Sequence, residues 1–243
     1  NTNIAKKHTK NLKPISEIIP DLNFENPKIQ NLKVVLIIGE SARAKNFSIN
    51  GYKRETTPLL SKEKNLLSFK DVTPCYGLTS QSVSCMLSFD ASSAKTAADK
   101  MNLIFVKEES LIKAFEKIGF STSWFSAQKA IGNDNTLLTI ASQAQQYFFK
   151  NGMIKDSKND SYDETLLQPL EQEIRHSGNS FVILQGNGSH FLFDYRYPES
   201  FKKFTPTCAH KNPSSCAKSS VVNSYDNSIL YTDYFITQVI ERL

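Results

Sequence analysis

Two uninterrupted apolar runs mark the chain. Residues 34–38 read Val-Val-Leu-Ile-Ile, and residues 181–184 read Phe-Val-Ile-Leu. Short β-branched and aliphatic runs closed by Gly39 and by Gly186 are the pattern of strands buried on both faces of a parallel sheet. Further strands are expected at 120–125 and, less strongly apolar, at 66–72. Between them the period changes to that of helices. Leu111, Ile112, Phe115 and Ile118 form a stripe within 107–118, and Gly119 supplies a helix stop. Other helices are expected at 41–50, 79–87, 135–149 and 162–175. The last, at 220–243, is amphipathic, with Val221, Tyr225, Ile229, Ile236, Val239, Ile240 and Leu243 near one face. Alternation of this kind predicts an α/β fold with a mostly parallel sheet over residues 32–243. Residues 1–31 are rich in Lys, Asn and Pro and read as a linker or surface arm with one short helix near 15–19.

Composition narrows the picture only a little. The 243 residues are enough for one large domain with a full core, and 40% hydrophobic with 22% charged residues is ordinary for a globular protein. A formal net charge of +5 suits an anionic surface such as lipid phosphates, and equally a slightly basic soluble protein. No basic stripe is interleaved with aromatics, which argues against nucleic acid as a partner. No apolar run approaches the ~20 residues of a membrane span, and no signal peptide is visible. The chain starts at Asn1 and ends on a helix that an α/β alternation would follow with another strand. An excised domain, incomplete on its C-terminal side, is therefore expected.

The candidate chemistry lies at the carboxyl ends of the expected strands, where open α/β sheets bind ligands. Glu40 follows the first strand and reads either as a site carboxylate or as a helix-start carboxylate favoured by the dipole. The segment from Cys75 to Cys85 is rich in hydroxyls, and Thr79 stands where a helix should begin. A helix N-terminus presents free N–H groups suited to phosphate, but Thr is also a common cap. Gln128 follows the 120–125 strand. His190 follows the 181–185 strand through Gly186-Asn-Gly-Ser, and is a crevice or a structural histidine. The four cysteines fall into two close pairs, Cys75/Cys85 and Cys208/Cys216. They read as two short disulfide loops in an oxidising compartment, or as four buried thiols.

Five blocks in order resemble one family. They are Ile38-Gly-Glu-Ser-Ala-Arg43 with Asn50-Gly-Tyr52 and Thr57-Pro58; Cys75, Thr79 and Cys85; Asp163-Glu164 with Leu166-Leu167; Gly188-Ser-His190 with Arg196-Tyr-Pro198; and Tyr225-Asp-Asn227 with Tyr231 and Asp233-Tyr234. Together they look like the bacterial phosphoethanolamine transferases of the alkaline phosphatase/sulfatase superfamily, and the resemblance covers most of residues 33–243. It implies a three-layer α/β/α sandwich and a zinc enzyme. It also implies a periplasmic catalytic domain, attached to the inner membrane by an N-terminal domain absent from this chain, acting as a monomer. Glu40 falls on a zinc ligand. Thr79 falls on the nucleophile, which also contacts zinc. His190 and Gln128 fall on substrate-facing positions, and the cysteine pairs fall on two family disulfides. The family's other zinc ligands, an Asp-His pair, have no counterpart, because the chain contains no Asp-His dipeptide.

The chemistry so implied is a two-step transfer. Thr79 takes phosphoethanolamine from phosphatidylethanolamine and passes it to lipid A, a lipopolysaccharide sugar or another periplasmic acceptor. Rival readings are a metal-dependent phosphodiesterase on the same fold and a non-catalytic periplasmic interaction domain. A sulfatase would need a Cys-x-Pro/Ala-x-Arg nucleophile motif, which Cys75-Tyr-Gly-Leu-Thr79 does not supply.

Overall fold

Four strands build the sheet: β1 (Lys33–Ile38), β2 (Ser121–Ser126), β3 (Gln146–Phe149) and β4 (Ser180–Gln185). The computed structural model describes residues 11–23, 30–89, 106–128, 136–149 and 162–243. The strands run parallel in the order β1-β4-β2-β3. Gln185 lies opposite both Ile38 and Ser126, so β1, β4 and β2 end level. That common edge carries Glu40, Gln128 and His190 on the segments that follow it.

Residue alternation along the strands sorts the core into two layers. Val34, Leu36 and Ile38 share one face with Phe181, Ile183 and Trp124. Against them pack Val83 and Leu87 of α2 (Thr79–Leu87), Ile112 of α3 (Leu111–Lys117) and Ile140 of α4 (Thr136–Ala141). On the other face, Val35, Ile37, Val182, Leu184 and Phe125 meet Leu167 and Leu170 of α5 (Leu167–Arg175) and Phe235 and Val239 of α6 (Lys218–Ile240). Helices thus cover both faces of a parallel sheet in the three-layer α/β/α arrangement. A short α1 (Ile15–Ile18) buries Ile15, and the segment before it is held by Lys13, whose N–H donates to Lys107 O and whose carbonyl accepts from Glu109 N. Among the described residues, no helix is long and apolar enough to cross a membrane.

Several expectations needed correction. β4 is buried along its whole length, but β1 is only half-buried before Ile38, because β4 is its sole strand neighbour among the described residues. No strand forms at 66–72. Leu67, Phe69 and Val72 are exposed there, for β-prone residues make a strand only against a partner. Residues 41–50 hold two 3₁₀ turns, Ala44–Asn46 and Ser48–Asn50, in place of a helix. The helix expected over 135–149 stops at Ala141, and the aromatic Tyr147, Phe148 and Phe149 extend β3 along β2; Asn135 lies outside the described residues. A 3₁₀ turn, Asp163–Leu166, precedes α5. Gly119 does end α3, at φ +90°.

The largest departure concerns α6. Leu243 and Ile240 of its expected apolar face are exposed, while Asn223, Ser224, Asp226, Asn227, Ser228 and Asp233 are buried. These polar side chains hold loops. Asp226 accepts from Asn46 Nδ2 (3.0 Å), Tyr52 OH (2.9 Å) and Arg54 Nη1 (2.9 Å). Asp233 accepts the N–H groups of Leu59 and Leu60, each at 2.9 Å. Tyr225 OH donates to Ser41 O at 2.7 Å and accepts from Arg43 N at 2.9 Å. Buried polar groups are tolerated when bonded in this way. The helix therefore positions the segment that follows Glu40.

Replacing Asp226 with Ala should cost about 3 kcal/mol, since three donors would lose one buried acceptor. Urea unfolding checks this, and Asp226→Asn, which keeps an acceptor and the shape, should cost less.

Candidate active site

Glu40 is the centre of the site. It leaves the end of β1 half-buried, and its carboxylate accepts from three side chains. Thr79 Oγ1 donates to Oε2 at 2.7 Å, Gln128 Nε2 to Oε2 at 3.4 Å and Ser41 Oγ to Oε1 at 2.9 Å. Two segments distant in sequence, with the neighbouring Ser41, thus converge on one carboxylate.

Thr79 is the first residue of α2, and Leu78, in the cap position, offers no side-chain cap. The Thr79 hydroxyl does not cap the helix either, because it points to Glu40. The leading N–H groups of α2 stand beside that hydroxyl without partners in the helix. A disulfide, Cys75–Cys85, links the approach loop to the body of α2 across Thr79, and a second, Cys208–Cys216, closes the loop before α6. Among the described residues there are no free cysteines.

Gln128 is fixed by a polar chain along the strand ends. Its Nε2 donates to Gly186 O at 2.8 Å, and its Oε1 accepts from Gln185 Nε2 at 3.2 Å. Ser126 Oγ donates to Gln185 Oε1 at 3.0 Å. Gln185 and Ser126 are fully buried, so these bonds satisfy amide and hydroxyl groups that water does not reach.

The loop after β4 lies on the backbone of Glu40. Ser189 N donates to Glu40 O at 2.8 Å. Gly188, at φ +47°, comes so close that a Cβ there would sit 2.8 Å from Glu40 N and 2.9 Å from Glu40 O. Beneath it, buried Asp163 accepts the N–H groups of Asn187 (2.6 Å) and Gly188 (3.0 Å). Gly186 has no room for a side chain either, since a Cβ would meet Asp163 Oδ2 at 2.7 Å. Burial pushes the Asp163 carboxyl above its ordinary range; the two N–H donors and the Arg196 charge oppose that rise.

His190 is exposed, and no hydrogen bond among the described residues joins it to Glu40, Thr79 or Gln128. Its ring meets Arg196 instead, Nδ1 lying 3.4 Å from Arg196 Nη2. The sequence reading left Ser41 without a role and named Asp163 and Arg196 only as members of matching blocks. The signal for Asp163 was the Gly-x-Gly at 186–188, which marks a close backbone approach.

Two oxygen donors, the Glu40 carboxylate and the Thr79 hydroxyl, fit part of a zinc shell, which is commonly four-coordinate. No group of three or more His, Cys, Asp and Glu able to hold a metal occurs among the described residues. The pair accounts for two ligands and the described residues add no third.

The family model described as Sulfatase matches residues 33–243. A curated relative, phosphoethanolamine transferase EptA of Escherichia coli K12, is 33% identical over 232 residues, spanning 90% of this chain and 39% of the relative. The integral membrane lipooligosaccharide phosphoethanolamine transferase A (EptA) of Neisseria meningitidis superposes with a TM-score of 0.76 at 26% identity, over 100% of this chain and 44% of that one. The C-terminal periplasmic domain of EcEptC from Escherichia coli, solved as a complex with Zn, gives 0.73 at 27% identity over 88% and 60%. The chain thus spans about two fifths of the length of the curated relative.

Gly188→Ala should destabilise the protein by about 1–3 kcal/mol in urea unfolding, since the clash is with backbone and the backbone is left-handed. Asp163 gives a pH signature. Its folded pKa is raised, so its contribution to stability is fully present below the ordinary carboxylate value of about 3.9 and is lost as pH rises through the folded value. Subtracting the Asp163→Asn stability profile from wild type should therefore give a difference that falls with rising pH from about 4 upward.

Proposed function

The chain belongs to the sulfatase family, and on that premise we propose that residues 32–243 are part of the catalytic domain of a periplasmic phosphoethanolamine transferase. The observation that carries this reading is the 2.7 Å bond between Thr79 Oγ1 and the Glu40 carboxylate at the open end of a parallel sheet. A nucleophile needs an activating group within such reach. The similarity to phosphoethanolamine transferases selects this chemistry from the wider family. The family label alone does not imply sulfate-ester hydrolysis, since Cys75-Tyr-Gly-Leu-Thr79 lacks the sulfatase nucleophile motif.

In the first step, Thr79 Oγ bonds to the phosphorus of phosphatidylethanolamine and the bond from phosphorus to the diacylglycerol oxygen breaks. The Thr79 proton ends on that oxygen, and phosphoethanolamine stays on Thr79. In the second step, a hydroxyl or phosphate oxygen of lipid A or a lipopolysaccharide sugar takes the group and a proton returns to Thr79. Glu40 aligns the hydroxyl. The free N–H groups of α2 face the phosphoryl oxygens, Gln128 borders the substrate, and His190 donates to a phosphoryl oxygen. Zinc held by Glu40 and Thr79 would supply positive charge that offsets the charge developing on the reacting oxygens. A membrane domain outside this chain would hold the site against the inner membrane, where the donor lipid resides. The domain acts as a monomer, with no nucleic-acid partner.

Incubation with phosphatidylethanolamine vesicles and zinc, followed by intact mass and peptide mapping, tests the covalent step. The expected result is one phosphoethanolamine adduct on Thr79. It should be absent in Thr79→Ala and retained in Ser82→Ala, and Glu40→Gln should lose bound zinc. An adduct that persists in Thr79→Ala overturns the assignment.

A further inference from the structure

The Arg196 guanidinium reaches both the His190 ring and the loop that carries it. Its Nη2 donates to Phe191 O at 2.9 Å and its Nε to His190 O at 3.3 Å, while Nη2 also faces His190 Nδ1 at 3.4 Å. One planar group thus holds two successive carbonyls and a ring nitrogen. The chain is shaped for this clamp. Leu192 adopts left-handed backbone, φ 66° and ψ 54°, which turns the strand-end loop back into the 3₁₀ turn Phe193–Tyr195. Tyr195 N and Arg196 N then donate to Leu192 O and Phe193 O, each at 2.9 Å. The next residue, Tyr197, is buried, with its hydroxyl on Asp194. At the other end Ser189 is buried, bonded to Glu40 O and to Ser228 Oγ at 2.8 Å. His190 is therefore an exposed ring on a loop anchored on both sides.

The contact also decides where the ring carries its proton. Arginine has five N–H donors and no acceptor, so a nitrogen bonded to it must be the acceptor. In a neutral imidazole the proton then sits on the other nitrogen. We propose that Arg196 is a positioning residue that fixes His190 as the Nε2–H tautomer and holds it on a clamped loop, leaving Nε2–H as the ring's single donor toward a substrate phosphoryl oxygen. The catalytic meaning of that donor rests on the phosphoryl-transfer reading; the tautomer and the clamp do not. Burial draws the Arg196 guanidinium below its ordinary value, and Asp163 and Glu40 oppose the shift, while arginine stays protonated in any case. Lysine, a point donor, cannot reproduce the fork.

The test is the imidazole nitrogen spectrum of the ¹⁵N-histidine-labelled chain at about pH 9, where imidazoles as a class are neutral. His190 signals are assigned by their loss in His190→Gln. Wild type should show a protonated Nε2 and a bare Nδ1. Arg196→Met should lose that single pattern and gain an Nδ1–H component. Arg196→Lys, which keeps N–H donors and has no acceptor, should recover most of the Nε2–H signal without restoring the clamp on both carbonyls. A protonated Nδ1 in wild type overturns the proposal whether or not any variant folds, and so does an unchanged pattern in Arg196→Met. The spectrum is read without turnover. A chain with the expected tautomer but no Thr79 adduct would keep the clamp and discard the transferase reading. The adduct without the tautomer would do the reverse.

Discussion

Everything at the site depends on one backbone-on-backbone contact. The loop after β4 rests on Glu40 with no side chain between them, at a separation only glycine permits at position 188. That contact makes two strand-end loops a single surface, because Ser189 closes it from above and Asp163 supports it from below. Level strand ends make the contact possible. With Gln185 opposite both Ile38 and Ser126, the three following segments leave the sheet at the same height. A displacement of one register position would move the loop by about 3.3 Å, and Glu40 would lose its neighbours.

On Oε2, Glu40 accepts from Thr79 Oγ1 at 2.7 Å and from Gln128 Nε2 at 3.4 Å, and on Oε1 it accepts from Ser41 Oγ at 2.9 Å. Ser41 and Gln128 orient the Glu40 carboxylate from its two oxygens. Outer partners of this sort tune a ligand's basicity and aim.

The sequence made some of this legible and not the rest, for physical reasons. β1 and β4 were readable as apolar runs that stop at a glycine or a polar residue, although only β4 is buried along its whole length, and β2 was readable from Trp124 and Phe125. Glu40, Thr79 and Gln128 were readable as positions at strand and helix ends, but their meeting is a tertiary fact. Their separations of 39 and 88 residues carry no local signal. β3 was hidden inside a helical pattern because edge pairing with β2 overrode a weak propensity. The run at 66–72 misled in the opposite sense, having strand composition without a strand beside it. α6 misled most. Its period predicted an apolar face, of which Tyr225, Ile229 and Val239 are buried, yet the buried side also includes a ladder of Asp, Asn and Ser that hydropathy alone assigns to solvent. The Asp-Asn spacing was visible within a family block, but only the loops it binds explain it.

The α6 ladder has one more consequence. About half of its partners are main-chain atoms: Leu59 N and Leu60 N on Asp233, Phe204 N on Asn227, Cys208 N on Ser224, Ser41 O and Arg43 N on Tyr225. The others are side chains, with Asn46, Tyr52 and Arg54 all on Asp226. Where the helix grips backbone, at Leu59, Leu60, Phe204 and Cys208, it is indifferent to the side chain carried there, with proline excluded wherever an N–H is held. Where it grips a side chain, at Asn46, Tyr52 and Arg54, the loop's path and its sequence are tied together.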